Sequence, residues 1–297
     1  MRDKDFRDVF VRCKKAGKSL YFDKEKTMIK ITNIEVTGWE ATIRGMRNPM
    51  NSWTRSDSGY VADDLFPGEP RFDSEYRLGP NDYDLMMQLA EGGPVHAKYR
   101  RMIVVYADIL APLYWWKEFD TYKVGTVANS CSTMHKIQEK EFTLEDFSHE
   151  HFEDVCHKNG KSEGTYVIDL DVSIEDALGL GYTGGLHLSP YGMMDITIAI
   201  LNKARALYLK TNDKRYWWQM IQLLPSSYNQ LRTVMMNYEV LHHIYRSPWR
   251  NHKLDEWREF CQWSETLPYS DIIVGEEKGV LREGPEDGGT FALASAT

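Results

Sequence analysis

Apolar and polar positions along the chain follow two periods. Residues 31–46, ITNIEVTGWEATIRGM, start with strand-like alternation and then turn helical. Residues 47–82 are rich in Pro, Gly, Ser, Asn and Asp and read as one long loop, of a length that is often functional. Asn81 or Asp82 is positioned to cap a helix that ends at Gly92-Gly93. Residues 100–109, RRMIVVYADI, then read as a buried, β-branched strand. Pro112 opens the next helix and Gly125 closes it, with Trp115, Phe119 and Tyr122 at helical spacing.

Thr143 and Asp146 form a capping-box pair for a helix predicted to stop near Asn159-Gly160. Residues 164–172 read as a strand and residues 179–192 as a Gly-rich loop. From Asp195 onward the period is helical, over residues 196–210, 215–224, 229–245 and 254–267. Mixed strands first and helices later predict an α+β fold with a helix-rich C-terminal half. The expected organisation is a charged N-terminal extension over 1–26, one domain over 27–275 carrying the loop 47–82 and an insertion at 158–192, and a disordered tail over 276–297.

A net charge of −8 argues against a nucleic-acid binder held by bulk charge. The four cysteines are widely spaced and form no CxxC pair, which argues against a disulfide framework and a structural zinc site and favours a reducing compartment. With no apolar signal region and no membrane-length apolar run, the expected location is the cytoplasm.

Gly179-Leu-Gly181-Tyr-Thr-Gly184 has the letters of a dinucleotide fingerprint. It lacks the strand directly before it and the helix directly after it, so it reads as a loop. Ala16-Gly17-Lys18-Ser19 lacks the first glycine of a phosphate loop. His149, His151, Cys156 and His157 match no metal spacing and read as a solvated helix face. The stretch TYKVGTVANSCSTMH, residues 121–135, is dense in small and hydroxyl-bearing side chains. It is either an ordinary loop or a cradle that lets backbone approach a ligand. Cys131 within it is either a nucleophile or a small buried hydrophobe.

Two segments together resemble the flavin-dependent thymidylate synthase family. In residues 96–135, His96 falls on the family's flavin-contacting histidine, Ala111-Pro112 on its Ala-Pro, and Asn129 and Ser132 on the Asn and Ser of its signature. In residues 223–257, Leu224-Pro225, Tyr228, Asn237, Arg246 or Arg250, His252 and Trp257 follow the family's order. The resemblance implies a mixed sheet wrapped by helices, a homotetramer, and FAD as cofactor, with NADPH and methylenetetrahydrofolate as co-substrates. The implied reaction is C5 methylation of a dUMP-like nucleotide, or a related one-carbon transfer. It places His96, Tyr122, Lys123, Asn237 and His243 on the cofactor side. Glu118, Asn129, Ser130, Ser132, Arg246 and Arg250 fall on the nucleotide side. Ser132, Cys131 and Lys123 are the candidate catalytic residues.

The chain departs from the signature where charge matters most. Thr121 and Met134 stand where the family has arginines, and Lys123 replaces a third. Replacement cations could come from Arg44, Arg47, Arg100, Arg101, Arg232, Arg246 or Arg250. Two alternatives follow: a catalytically silent nucleotide- or protein-binding module on the same fold, and a pyrimidine-modifying enzyme that uses Cys131 as its nucleophile.

Overall fold

The computed structural model describes residues 27–60, 76–152, 190–247 and 254–275. The expected N-terminal extension, the strand at 164–172, the fingerprint-like glycines, Cys156, His157, Arg250, His252 and the tail lie outside these residues.

In chain order the elements begin with β1 (Lys30–Thr37), α1 (Trp39–Arg47), β2 (Gly59–Tyr60), β3 (Tyr76–Arg77) and α2 (Pro80–Glu91). A 3-10 helix (Ala97–Met102), β4 (Val104–Pro112), α3 (Leu113–Phe119) and β5 (Val127–Ser130) follow. The C-terminal part holds α4 (Pro190–Thr211), α5 (Lys214–Leu223), β6 (Asn229–Asn237), α6 (Tyr238–Tyr245), α7 (Asp255–Ser264) and α8 (Asp271–Val274). The fold is α+β. One sheet has the order β1-β4-β6-β5, and β2 pairs antiparallel with β3.

The chain forms two compact units. Unit 1 draws on Met1–Thr32, Asp108–Thr121 and Ala128–Thr233, and unit 2 on Asn33–Ala107, Tyr122–Val127 and Val234–Thr297.

In unit 1, Trp115, Trp116 and Phe119 of α3 are fully buried, with Trp115 and Phe119 stacked at 5.2 Å. A second apolar cluster joins Phe142 and Phe147 to Met194, Leu201 and Ala204 of α4 and Met220 of α5. Asp213 caps α5, accepting from the Arg215 N–H at 2.9 Å.

In unit 2, Trp39, Ile43, Ile103, Tyr238, Trp257 and Phe260 are among the buried side chains. Gly38 turns the chain from β1 into α1 at φ 94°, and a Cβ there would lie 2.2 Å from the Met102 carbonyl oxygen.

Four sequence expectations are corrected by non-local contacts or by a competing period. First, residues 47–82 are not one loop. Helix α2 starts at Pro80, and 3-10 turns occupy Asn48–Met50 and Trp53–Arg55. Asp82 does not cap α2; it is fully buried and accepts from Arg47 Nε at 2.6 Å, Ser56 Oγ at 2.8 Å and Ser58 Oγ at 2.6 Å. Asp57 caps α2 from outside the helix, accepting from the Asn81 and Asp82 N–H groups at 3.0 and 3.2 Å.

Second, α3 ends at Phe119 rather than at Gly125, and Tyr122 lies beyond it. The Thr121 hydroxyl donates to the Glu118 carbonyl at 2.7 Å and satisfies one of the helix's last acceptors.

Third, the Thr143–Asp146 capping box forms, but it closes a 3-10 turn at Leu144–Asp146, after which Phe147 is extended and bridges to Tyr228. His149 and His151 therefore do not lie on a helix, and His149 Nδ1 bonds the Phe147 carbonyl at 2.7 Å.

Fourth, residues 229–245 are not one helix: β6 occupies the first nine and α6 the rest. Gln230, Val234 and Met236 are buried at spacing two, which is the strand period.

Burial works to raise the Asp82 pKa. Hydrogen bonds from Ser58, Arg47 and Ser56 outweigh it and hold the carboxyl below its ordinary value of 3.8. A depressed folded-state pKa adds stability that is present above that value and is lost as pH falls through the folded pKa. Asp82→Asn should cost about 3–5 kcal/mol at neutral pH, because it leaves Arg47 buried without its counter-charge. Urea unfolding of both proteins checks this, and the gap between them should narrow below about pH 4.

Candidate functional site

In unit 1 the stretch that follows α3 is held against β6. Strand β5 is exposed along its whole length, Asn129 and Ser130 included. The Cys131 N–H donates to the Leu231 carbonyl at 2.9 Å, and Gln230 Nε2 donates to the Cys131 carbonyl at 2.9 Å. Arg232 Nε donates to Gln230 Oε1 at 2.9 Å. Its Nη1 donates to Asp120 at 2.8 Å, and its guanidinium lies 4.4 Å from the centre of the Trp116 ring.

Arg232 is thus the replacement cation that unit 1 ties to the 129–132 stretch. Arg47 and Arg100 are buried in ion pairs of unit 2, and Arg44, Arg101 and Arg246 are exposed there. Thr121 and Met134, at the positions of the missing arginines, are exposed.

Ser132 and His135 form a local pair: Ser132 Oγ accepts from the His135 backbone N–H at 3.0 Å and lies 2.8 Å from Nδ1. Cys131 is a free, exposed thiol, so the buried-hydrophobe reading fails for it. Cys261 is the buried thiol, and burial pushes it up to about 12. Trp217 Nε1 donates to the Met134 carbonyl at 2.9 Å and pins the end of the stretch to α5.

The two sequence segments that resemble the family meet in unit 1. The Leu113 N–H, directly after Ala111-Pro112, donates to the Tyr228 carbonyl at 3.0 Å. The Tyr114 N–H donates to the Ser226 carbonyl, also at 3.0 Å. Tyr114 and Tyr228 belong to segments far apart in sequence.

In unit 2 the residues expected on the cofactor side gather around α6. Asn237 ends β6 and caps α6, its Oδ1 accepting from the Val240 N–H at 3.0 Å. Gly125 packs on the same side chain: a Cβ there would lie 2.7 Å from Asn237 Nδ2, and φ is +85°. The Tyr122 ring meets Trp257 edge-on at 6.2 Å, and Lys123 is exposed. His96 is exposed and begins the 3-10 helix Ala97–Met102, which packs against α6. Glu118 lies in unit 1, half-buried.

Sequence reasoning missed one group. Arg100 and Glu239 are both buried, with Arg100 Nη1 3.9 Å from Glu239 Oε2. Glu239 Oε1 lies 3.2 Å from Nε2 of His243, which is 61% exposed. Arg100 Nε and Glu239 Oε2 are buried without a hydrogen-bond partner. In the sequence, Glu239 looks like an ordinary acidic residue in the first turn of a helix. Its burial depends on Arg100, which is remote in sequence. Beside it, burial lowers the His242 pKa, opposed by the bond from Nδ1 to the Ile273 carbonyl at 2.6 Å.

Among the described residues no helix is long and apolar enough to cross a membrane, and no group of three or more His, Cys, Asp or Glu could hold a metal ion.

No protein-family profile and no curated protein matches the chain. Among solved structures, the chain is similar to thymidylate synthase X from Helicobacter pylori with FAD and dUMP. The TM-score is 0.48 at 14% identity, covering 82% of this chain and 94% of that one. It is similar to the same organism's flavin-dependent thymidylate synthase, complexed with FAD and dUMP, at TM-score 0.48 and 14% identity, covering 82% and 95%. FAD and dUMP are ligands of those proteins.

Asn237→Ala should cost about 0.5–2 kcal/mol through the lost cap. Gly125→Ala should cost at least as much, because it both strains the backbone and displaces the capping side chain. If the two are coupled, the double variant will be less destabilised than the sum of the single variants in thermal unfolding.

Proposed function

We propose that this chain is a divergent relative of the flavin-dependent thymidylate synthases. It would bind FAD and a pyrimidine nucleotide and transfer a one-carbon unit to C5. One observation carries the reading. The two stretches that resemble that family, each carrying several of its residues in order, are hydrogen-bonded to one another through Leu113–Tyr228 and Tyr114–Ser226.

The residues available in unit 2 fit a flavin. Exposed nitrogens on His96, Lys123 and His243, with the half-buried Tyr122, offer donors for the carbonyl and ring-nitrogen acceptors of an isoalloxazine. Asn237 fits less well, because its oxygen is already committed to the Val240 N–H. When bound, FAD would supply the hydride chemistry. The protein's part would be to orient the rings and exclude water. On the nucleotide side, unit 1 offers Asn129, Ser130 and Ser132 as hydroxyl and amide contacts and Arg232 as the cation. Glu118, Arg246 and Arg250 belong to the same proposal, as do NADPH and methylenetetrahydrofolate as co-substrates and a homotetrameric assembly.

A second reading, a binding module without chemistry, is favoured by the exposed Thr121 and Met134 at the signature's arginine positions. The route through Cys131 has less support: among the described residues no histidine, lysine or carboxylate bonds its sulfur.

Quenching of flavin fluorescence on titration with the purified protein, with and without dUMP, tests the proposal. Saturable binding of both is expected. Binding of neither would contradict it, and binding without turnover would favour the silent module. Cys131→Ser should change turnover less than about tenfold, whereas loss of an essential nucleophile would abolish it.

A further inference from the structure

The group formed by Arg100, Glu239 and His243 differs from a solvated surface ion pair. The carboxylate is buried, and its far oxygen faces a buried guanidinium at 3.9 Å. Its near oxygen lies 3.2 Å from an imidazole that is 61% exposed. A carboxylate accepts hydrogen bonds and donates none, so it favours the tautomer that carries its proton on Nε2. The neutral ring then presents a bare lone pair at Nδ1. Nδ1 has no hydrogen-bond partner among the described residues. Glu239 cannot turn away cheaply, because the buried Arg100 would lose its only counter-charge. His242, its neighbour on α6, has its own Nδ1 engaged by the Ile273 carbonyl and does not compete.

We infer that His243 is a fixed hydrogen-bond acceptor for a ring imide, the O=C–NH–C=O edge that isoalloxazine and uracil share. An acceptor at Nδ1 takes the imide N–H. It meets the bare N3 of a cytosine lone pair to lone pair and so rejects that ring. His243 is the residue that touches the ligand; Glu239 and Arg100 are positioning residues that set its tautomer. The inference rests on the proposed function for the class of ligand, and on the geometry alone for the tautomer.

Two measurements test it. In the ligand-free protein, nitrogen-15 NMR of the imidazoles should show His243 as the Nε2–H tautomer, and Glu239→Gln should abolish that preference. An Nδ1–H tautomer, or no change in Glu239→Gln, overturns the inference whatever the protein binds. Equilibrium titrations should then show roughly tenfold weaker binding of whichever ring His243 holds once its imide nitrogen is methylated. N3-methylated flavin and N3-methylated dUMP, each compared with its parent, identify that ring, and the penalty should vanish in His243→Ala. Equal binding of both methylated compounds and their parents would overturn the inference and leave the proposed function standing. Failure of both parents to bind would overturn the proposed function itself, and the inference with it.

Discussion

At Asn237 a strand becomes a helix, and the candidate cofactor side depends on that change. Its side-chain oxygen takes the Val240 N–H, which starts α6 immediately after β6. Its amide nitrogen leaves room only for a glycine at position 125, so the loop from Tyr122 to Val127 is fixed by the same residue. The cap sets the phase of α6. That phase buries Glu239 against Arg100 and leaves His243 in solvent, one turn further on. One amide therefore positions both a loop and an acid–imidazole pair.

Unit 1 uses a different device, a ladder of side chains that grips backbone. Gln230 holds the Cys131 carbonyl, Arg232 holds Gln230, and Asp120 and Trp116 hold Arg232. Strand β5 is exposed, so the geometry of the stretch behind it depends on this ladder and on Trp217 rather than on burial. The stretch 121–135 is thus neither a free loop nor a strongly charged cradle. It is a rigid, largely neutral edge with one cation behind it.

Local chemistry was legible in the sequence. The Thr143–Asp146 box, the end of α2 at Gly92 and the strand before Pro112 all form as their residues predict. What stayed hidden depends on partners far away in the chain. Asp82 looks like a cap until Arg47 and the serines at 56 and 58 claim it. Segment 229–245 looks helical because Val234, Met236, Val240, Leu241 and Ile244 suit either period, and only the cap at Asn237 separates them. Of the candidate site, Asn237, Tyr122 and His243 are drawn together around α6 as the resemblance implied. Glu239 carries no local mark of its burial.

The central claim is that the exposed donors around α6 serve a flavin. The visible absorption spectrum of the protein as purified, and again after incubation with FAD and desalting, tests it most directly. A retained flavin band, lost in a variant that removes His96, Lys123 and His243 together, is the predicted result. A colourless protein that retains no FAD after incubation would contradict the account.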